Sequence, residues 1–177
     1  MLPRQKDVHM DIPVFVSCPT SLSPAQESSR SKILKQLEKL HLAPRALGRS
    51  DYPTELPLRE VFVIAKHCAG GVILGFEQFR ASGGTFKPDA PDERVDTGTI
   101  SYPTPWNHLE AGILFGLGVP LLIFREPGIA GGVFDPGVTD VFVNRMPTGA
   151  DTTEQTKSLN EVFLKWQASV RVKYYER

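Results

Sequence analysis

Short apolar, β-branched runs alternate along the chain with longer stretches in which apolar residues recur every three or four positions. The first run, IPVFVSC at 12–18, predicts a strand, and PTSLSP after it is turn material leading into a helix. In SPAQESSRSKILKQLEKLHL, Ile33, Leu34, Leu37, Leu40 and Leu42 fall at helical spacing. Arg30, Lys32, Lys35, Glu38 and Lys39 remain for a wet face. A weaker strand is expected in APRALGR (43–49), then a helix through LREVFVIAKHC (58–68) with Leu58, Val61, Phe62 and Ala65 facing inward. AGGVILGF (69–76) reads as a glycine turn followed by a buried strand. The stretch 77–105 is polar and rich in Gly, Pro and Asp, and predicts no regular element beyond a turn. A loop of that length, about 79–104, is usually functional or mobile.

TPWNHLEAGILFGLGVPLLIF (104–124) predicts a helix from Trp106 to Gly116 or Gly118 and then a strand, VPLLIF. VFVNRM adds a short strand. A closing helix places Leu159, Val162, Phe163, Trp166 and Val170 on one face. Apolar strands alternating with amphipathic helices predict an α/β fold whose parallel sheet is covered on both faces. Right-handed crossovers leave a flavodoxin-like three-layer sandwich as the simplest topology, with a mostly parallel five-stranded sheet in the order 2-1-3-4-5. The expected organisation is one domain, 12–177, after an N-terminal tail, 1–11. In such sheets ligands bind outside the carboxyl ends of the strands. That rule selects the loop 17–24, the loop after Phe76, and the start of the helix at Trp106.

With 177 residues the chain can bury a sizeable core. Twenty basic and twenty acidic side chains cancel, so overall charge draws it neither to nucleic acid nor to an anionic membrane. The opening MLPRQKDVHMDIP is too polar for a signal peptide, and the longest apolar run, 113–124, is about half a membrane span. A cytoplasmic protein is expected, with Cys18 and Cys68 as reduced thiols, since they lack metal-type spacing. No GxxxxGK[ST], strand-linked GxGxxG, HExxH, CxxC or GxSxG occurs, so phosphate-loop, metal, disulfide-exchange and serine-hydrolase chemistry lack support. The pairs Gly70-Gly71, Gly83-Gly84 and Gly131-Gly132 read as turns.

Thr104 can cap the helix, with Pro105 at its first position, which puts Glu110 one turn after Trp106. An acid near a helix N-terminus is favoured electrostatically, and that alone can explain Glu110. Against it, the helix is apolar all round after Ala111, and a carboxylate on a buried helix needs a partner or a task. Trp106 is either a wall for a flat ligand or a core aromatic, and Asn107 either binds a ribose or amide or satisfies the helix start. His108 faces away from Trp106 and reads as solvated or capping.

FVSCPTSLSPAQ, the buried AGGVILGF strand and WNHLEAGILFGLGVPLLIF together resemble the TIR and nucleoside 2-deoxyribosyltransferase-like group. The resemblance implies a flavodoxin-like sheet and, on the corresponding helix, a glutamate that cleaves an N-glycosidic bond, here Glu110. Enzymatic TIR members carry a tryptophan four residues earlier, matched by Trp106. The chain departs from the group at two points: the aspartate–glycine pair usual in the deoxyribosyltransferases is not evident, with Asp96 and Gly98 as the candidates to stand in for it, and the acidic residue usual soon after the first TIR strand is missing. The implied activity is NAD glycohydrolase-like hydrolysis or cyclisation. The alternatives are a non-catalytic nucleotide-sensing or TIR-like interaction module, and a nucleoside 2-deoxyribosyltransferase. No cofactor is implied beyond NAD or a nucleoside as substrate; a homo-oligomer is possible, and neither nucleic acid nor membrane is expected as a partner.

The remaining candidate binding residues follow from the fold rule. Ser17, Pro19, Thr20 and Ser21 end the first strand and offer hydroxyl and backbone donors, or simply form a turn. Arg49 and Asp51 follow the second predicted strand, where Arg49 pairs with a phosphate or with Asp51. Phe76, Glu77 and Gln78 follow the third; Glu77 offers a second carboxylate or is an idle loop acid.

Overall fold

The computed structural model describes residues 11–46 and 56–176. In chain order it contains β1 (Ile12–Ser17), α1 (Pro24–Lys39), β2 (Leu42–Arg45), α2 (Pro57–Lys66), β3 (Gly70–Gly75) and four short strands. These are β4 (Phe79–Ala81), β5 (Gly84–Phe86), β6 (Arg94–Asp96) and β7 (Ile100–Tyr102). Then come α3 (Pro105–Gly116), β8 (Leu121–Arg125), β9 (Val143–Arg145) and α4 (Thr153–Tyr175). The central sheet runs β2-β1-β3-β8-β9 with every pairing parallel, which is the order 2-1-3-4-5 counted over its own strands.

Alternation along β1 divides the core. Val14 and Val16 pack with Ile33 and Leu37 of α1 and with Phe163, Trp166 and Val170 of α4. Phe15 points the other way, to Val61, Ile64 and Ala65 of α2 and to Ala111 and Leu114 of α3. The result is three layers: α1 and α4, the sheet, then α2 and α3. Leu42 belongs to β2 rather than to the face of α1. On α2, Ile64 takes the inner position expected of Leu58 and Phe62, which are 49% and 43% exposed. The apolar run VFVIA fits a buried stripe at more than one rotation, and packing on α3 selects the one through Val61, Ile64 and Ala65.

Gly70 and Gly71 are not a turn; both lie inside β3. A Cβ on Gly70 would come within 2.6 Å of Val170 and 2.7 Å of Trp166, and one on Gly71 within 2.8 Å of Leu114. Their missing side chains let α4 and α3 close onto opposite faces of the sheet. The polar stretch after β3 is also more regular than expected. β4 pairs antiparallel with β7, and β5 with β6, forming one long hairpin whose register slips by one residue between its base and its tip. The three-residue strands and the abundant Gly, Pro and Asp hide it from a pattern reading.

Local signals fix α3. Thr104 accepts a hydrogen bond from the Trp106 N–H, and Pro105 occupies the first turn. At the other end Gly118 takes φ +62°, its N–H bonds the Phe115 carbonyl, and the Val119 N–H bonds the Leu114 carbonyl at 3.0 Å. This is a Schellman stop, with Val119 and Leu114 in hydrophobic contact beneath it. α3 packs on β3 and β1, the two strands between which the chain reverses its direction of travel across the sheet. Among the described residues no helix is long and apolar enough to cross a membrane, and Cys18 and Cys68 are not joined in a disulfide.

Candidate functional site

Ser17 is the last residue of β1, and its side chain lies on the α3 side of the sheet with that of Phe15. On α3, Asn107, Glu110, Ala111 and Leu114 form the buried stripe, at the i, i+3, i+4, i+7 spacing of one helix face. The fully buried Asn107 Nδ2 donates to the Ser17 Oγ at 2.7 Å. The Ser17 hydroxyl also lies beside the Glu110 carboxyl. Two elements ninety residues apart thus meet at one hydroxyl next to this carboxyl group. Glu110 is 8% exposed. Burial pushes its pKa up from 4.5 to about 7, and the Ser17 hydroxyl opposes the rise without cancelling it. Asn107 Oδ1 is buried with no hydrogen-bond partner among the described residues.

α3 is less buried than its sequence implied. Trp106 is 40% exposed and Leu109 and Phe115 about half exposed, because only the stripe through Glu110 meets the sheet. Trp106 therefore stands at the carboxyl edge, one turn before Glu110, as an open aromatic surface and not as a core residue. His108 is half-buried. Its ring meets Phe134 edge to face at 5.4 Å, burial lowers its pKa, and the charge of Asp135 partly counteracts that shift. The ring joins α3 to the segment after β8. Phe134 lies so close to the sheet that a Cβ on Gly75 would stand 2.4 Å from its ring.

A second polar cluster occupies the carboxyl ends of β3 and β8. Glu77 is bound by the Arg80 guanidinium and the Ser101 hydroxyl, which, in that order, hold its pKa below the ordinary value. Its backbone N–H donates to Glu126 Oε2 at 2.7 Å, and Gln26 Nε2 reaches the same oxygen at 2.9 Å and the Glu77 carbonyl at 3.1 Å. Glu77 is thus an ionised anchor for the hairpin base, engaged within the chain. Gln26, Arg80, Ser101 and Glu126 were not singled out from sequence. Glu126 follows β8 as Glu77 follows β3, so the carboxyl-end rule reaches it, and Gln26 completes a readable Ser23-x-x-Gln26 capping box.

Phe76 does not join Glu110 on the α3 side of the sheet. It is fully buried on the α1–α4 side of the sheet, because it continues the alternation of Val72 and Leu74. Pro19 is buried, and Thr20 and Ser21 are exposed in the turn before α1. Asp96 bonds the Gly98 N–H within the hairpin at 2.9 Å, a local turn contact. Arg49 and Asp51 lie outside the described residues. No group of three metal-ligating side chains occurs among the described residues.

Comparison of the chain with protein-family models, with curated proteins and with solved structures gives no match. The functional reading therefore rests on this geometry. A nearly buried carboxyl that titrates near neutrality can stand as a carboxylate beside a developing cation or donate a proton to a leaving group, and small changes in its surroundings select between the two.

Proposed function

We propose that the protein cleaves the N-glycosidic bond of a nucleotide, with Glu110 as the catalytic carboxyl and NAD-type nucleotides as the preferred substrates. The observation that carries this reading is Glu110 itself: 8% exposed, at the strands' carboxyl ends, beside the Asn107–Ser17 hydrogen bond, with its pKa raised to about 7. Departure of the base leaves an oxocarbenium-like sugar, which a rigid carboxylate can stabilise or attack. The nicotinamide of NAD is already cationic and leaves without a proton. Its charge near Glu110 favours the ionised carboxyl. Trp106 offers the open aromatic face for the flat base, and its spacing to Glu110 supports a nucleotide of this kind. The resemblance of WNHLEAGILFGLGVPLLIF to the TIR and deoxyribosyltransferase-like group points the same way, and this reading places the activity in the cytoplasm.

The titration near 7 also favours a second reading. A deoxynucleoside carries a neutral base that needs a proton to leave, and a half-protonated Glu110 can supply it, as a deoxyribosyltransferase requires. The two readings predict opposite pH limbs. If the carboxylate is the working form, kcat/KM rises as pH passes upward through about 7; if the acid is, it falls. Purified protein incubated separately with NAD and with deoxynucleosides, at low and high protein concentration, is assayed for free nicotinamide and free base. Nicotinamide release with a rising limb supports the first reading, and base release with a falling limb the second. Tight nucleotide binding without any product contradicts both and leaves a nucleotide sensor.

A further inference from the structure

β9 ends the sheet on the side away from β2, and beside it the chain carries a cavity of about 360 Å³. Pro120, Val141, Val162 and the ring of Trp166 line it. The indole N–H is already spent on the Pro120 carbonyl at 3.0 Å, so Trp166 presents only apolar surface to the groove. On the rim stands Phe142, 86% exposed, the most exposed of the large apolar side chains in the described core and surface. Isolated exposed apolar residues are ordinary, but a bare aromatic beside an apolar groove large enough to take it is a knob beside a hole.

We infer that this edge is a two-fold interface between two copies of the chain, each inserting Phe142 into the groove of the other. Three observations select a second copy as occupant. Knob and hole lie on one surface, as an isologous contact requires, where residue i meets j and j meets i. The groove is also lined by one acid and one base, Asp140 and Lys165, a charge pattern that a two-fold contact can complement with itself by pairing Lys165 of each copy with Asp140 of the other. Finally, the formal net charge is zero, so two copies approach without long-range repulsion. β9 itself, only three residues long, offers little template for strand addition, so side-chain insertion carries the contact.

Sedimentation of the full chain over a dilution series tests the inference. The wild type is expected to pass from dimer to monomer as it is diluted. Phe142→Glu is expected to raise the dissociation constant about 30-fold or more, as loss of a central aromatic anchor does, with a melting temperature equal to that of the wild type at dilutions where both are monomeric, because the side chain is not part of the monomer's core. Lys165→Glu and Asp140→Lys, each alone, place like charges together and are expected to be monomeric. Mixed in equal amounts, they restore both opposite-charge pairs and reassociate. A wild type that stays monomeric at the highest concentration overturns the inference and leaves the groove to a different protein. So does a dimer that Phe142→Glu does not weaken, or a mixture of the charge variants that stays apart.

Discussion

Replacing Glu110 by glutamine removes one titrating proton from the interior and keeps the side chain's size and its capacity to bond Ser17. In the wild type, burial lifts the carboxyl from 4.5 to about 7 against the smaller opposing effect of Ser17. Between those values the folded chain holds a proton that the unfolded chain has released. Stability therefore falls as pH rises, by about 1.4 kcal/mol per pH unit. Across the two and a half pH units the loss reaches about 3 kcal/mol. Below 4.5 both states are protonated and the effect vanishes; above about 7 both are ionised and the loss is complete. Glutamine carries no such penalty, so the stability of Glu110→Gln relative to wild type grows by about 3 kcal/mol from pH 4.5 to pH 8. For a domain of this size that is a relative gain in Tm of about 6–12 °C. Thermal and urea unfolding of both proteins over this range measures it, and all other titrating groups cancel from the difference. Parallel curves for the two proteins across the range would mean that Glu110 bears no desolvation penalty and is not raised to about 7. A catalytic group that destabilises its own fold is the expected signature of a functional site.

Ser17→Ala removes the hydroxyl that lowers the Glu110 pKa, so the pH–rate limb moves to higher pH; the unpaired Asn107 amide costs about 1–3 kcal/mol in urea unfolding. Gly75→Ala pushes a methyl group into the Phe134 ring, for an expected loss of about 1–3 kcal/mol by the same measurement. Trp106→Ala raises the KM for a nucleotide, while thermal melting shows a loss smaller than the about 3–5 kcal/mol of a fully buried tryptophan, because the side chain is 40% exposed.

The boundaries of α3 were legible because their causes are local: Thr104 and Pro105 start the helix, and Gly118 stops it a few residues from the carbonyls it satisfies. Strand order was legible as well, since each strand's burial shows in its own apolar run. Gly70 and Gly71 were misread because their reason lies far away in sequence, in Trp166, Val170 and Leu114. The hairpin after β3 escaped for a different reason. Its strands are three residues long, and the pairing that sustains them joins positions such as Phe79 and Tyr102 across the intervening turn. At the site, Glu110 stood out as an acid at the mouth of an apolar helix. What lies beside it did not, because no periodicity links Ser17 to Asn107, and only the parallel sheet brings β1 under α3. Phe76 and Glu77 illustrate the same limit. The carboxyl-end rule finds the neighbourhood, but the pleat sends Phe76 to the opposite face and the hairpin occupies Glu77.

Whether Glu110 works at the N-glycosidic bond is read most directly from nicotinamide release from NAD by wild-type protein and by Glu110→Gln, assayed side by side at equal concentration. The wild type is expected to release nicotinamide, and the variant, which remains folded and is the more stable of the two at pH 8, to lose on the order of 10³-fold or more of that activity. Equal turnover by the two proteins would remove Glu110 from the chemistry.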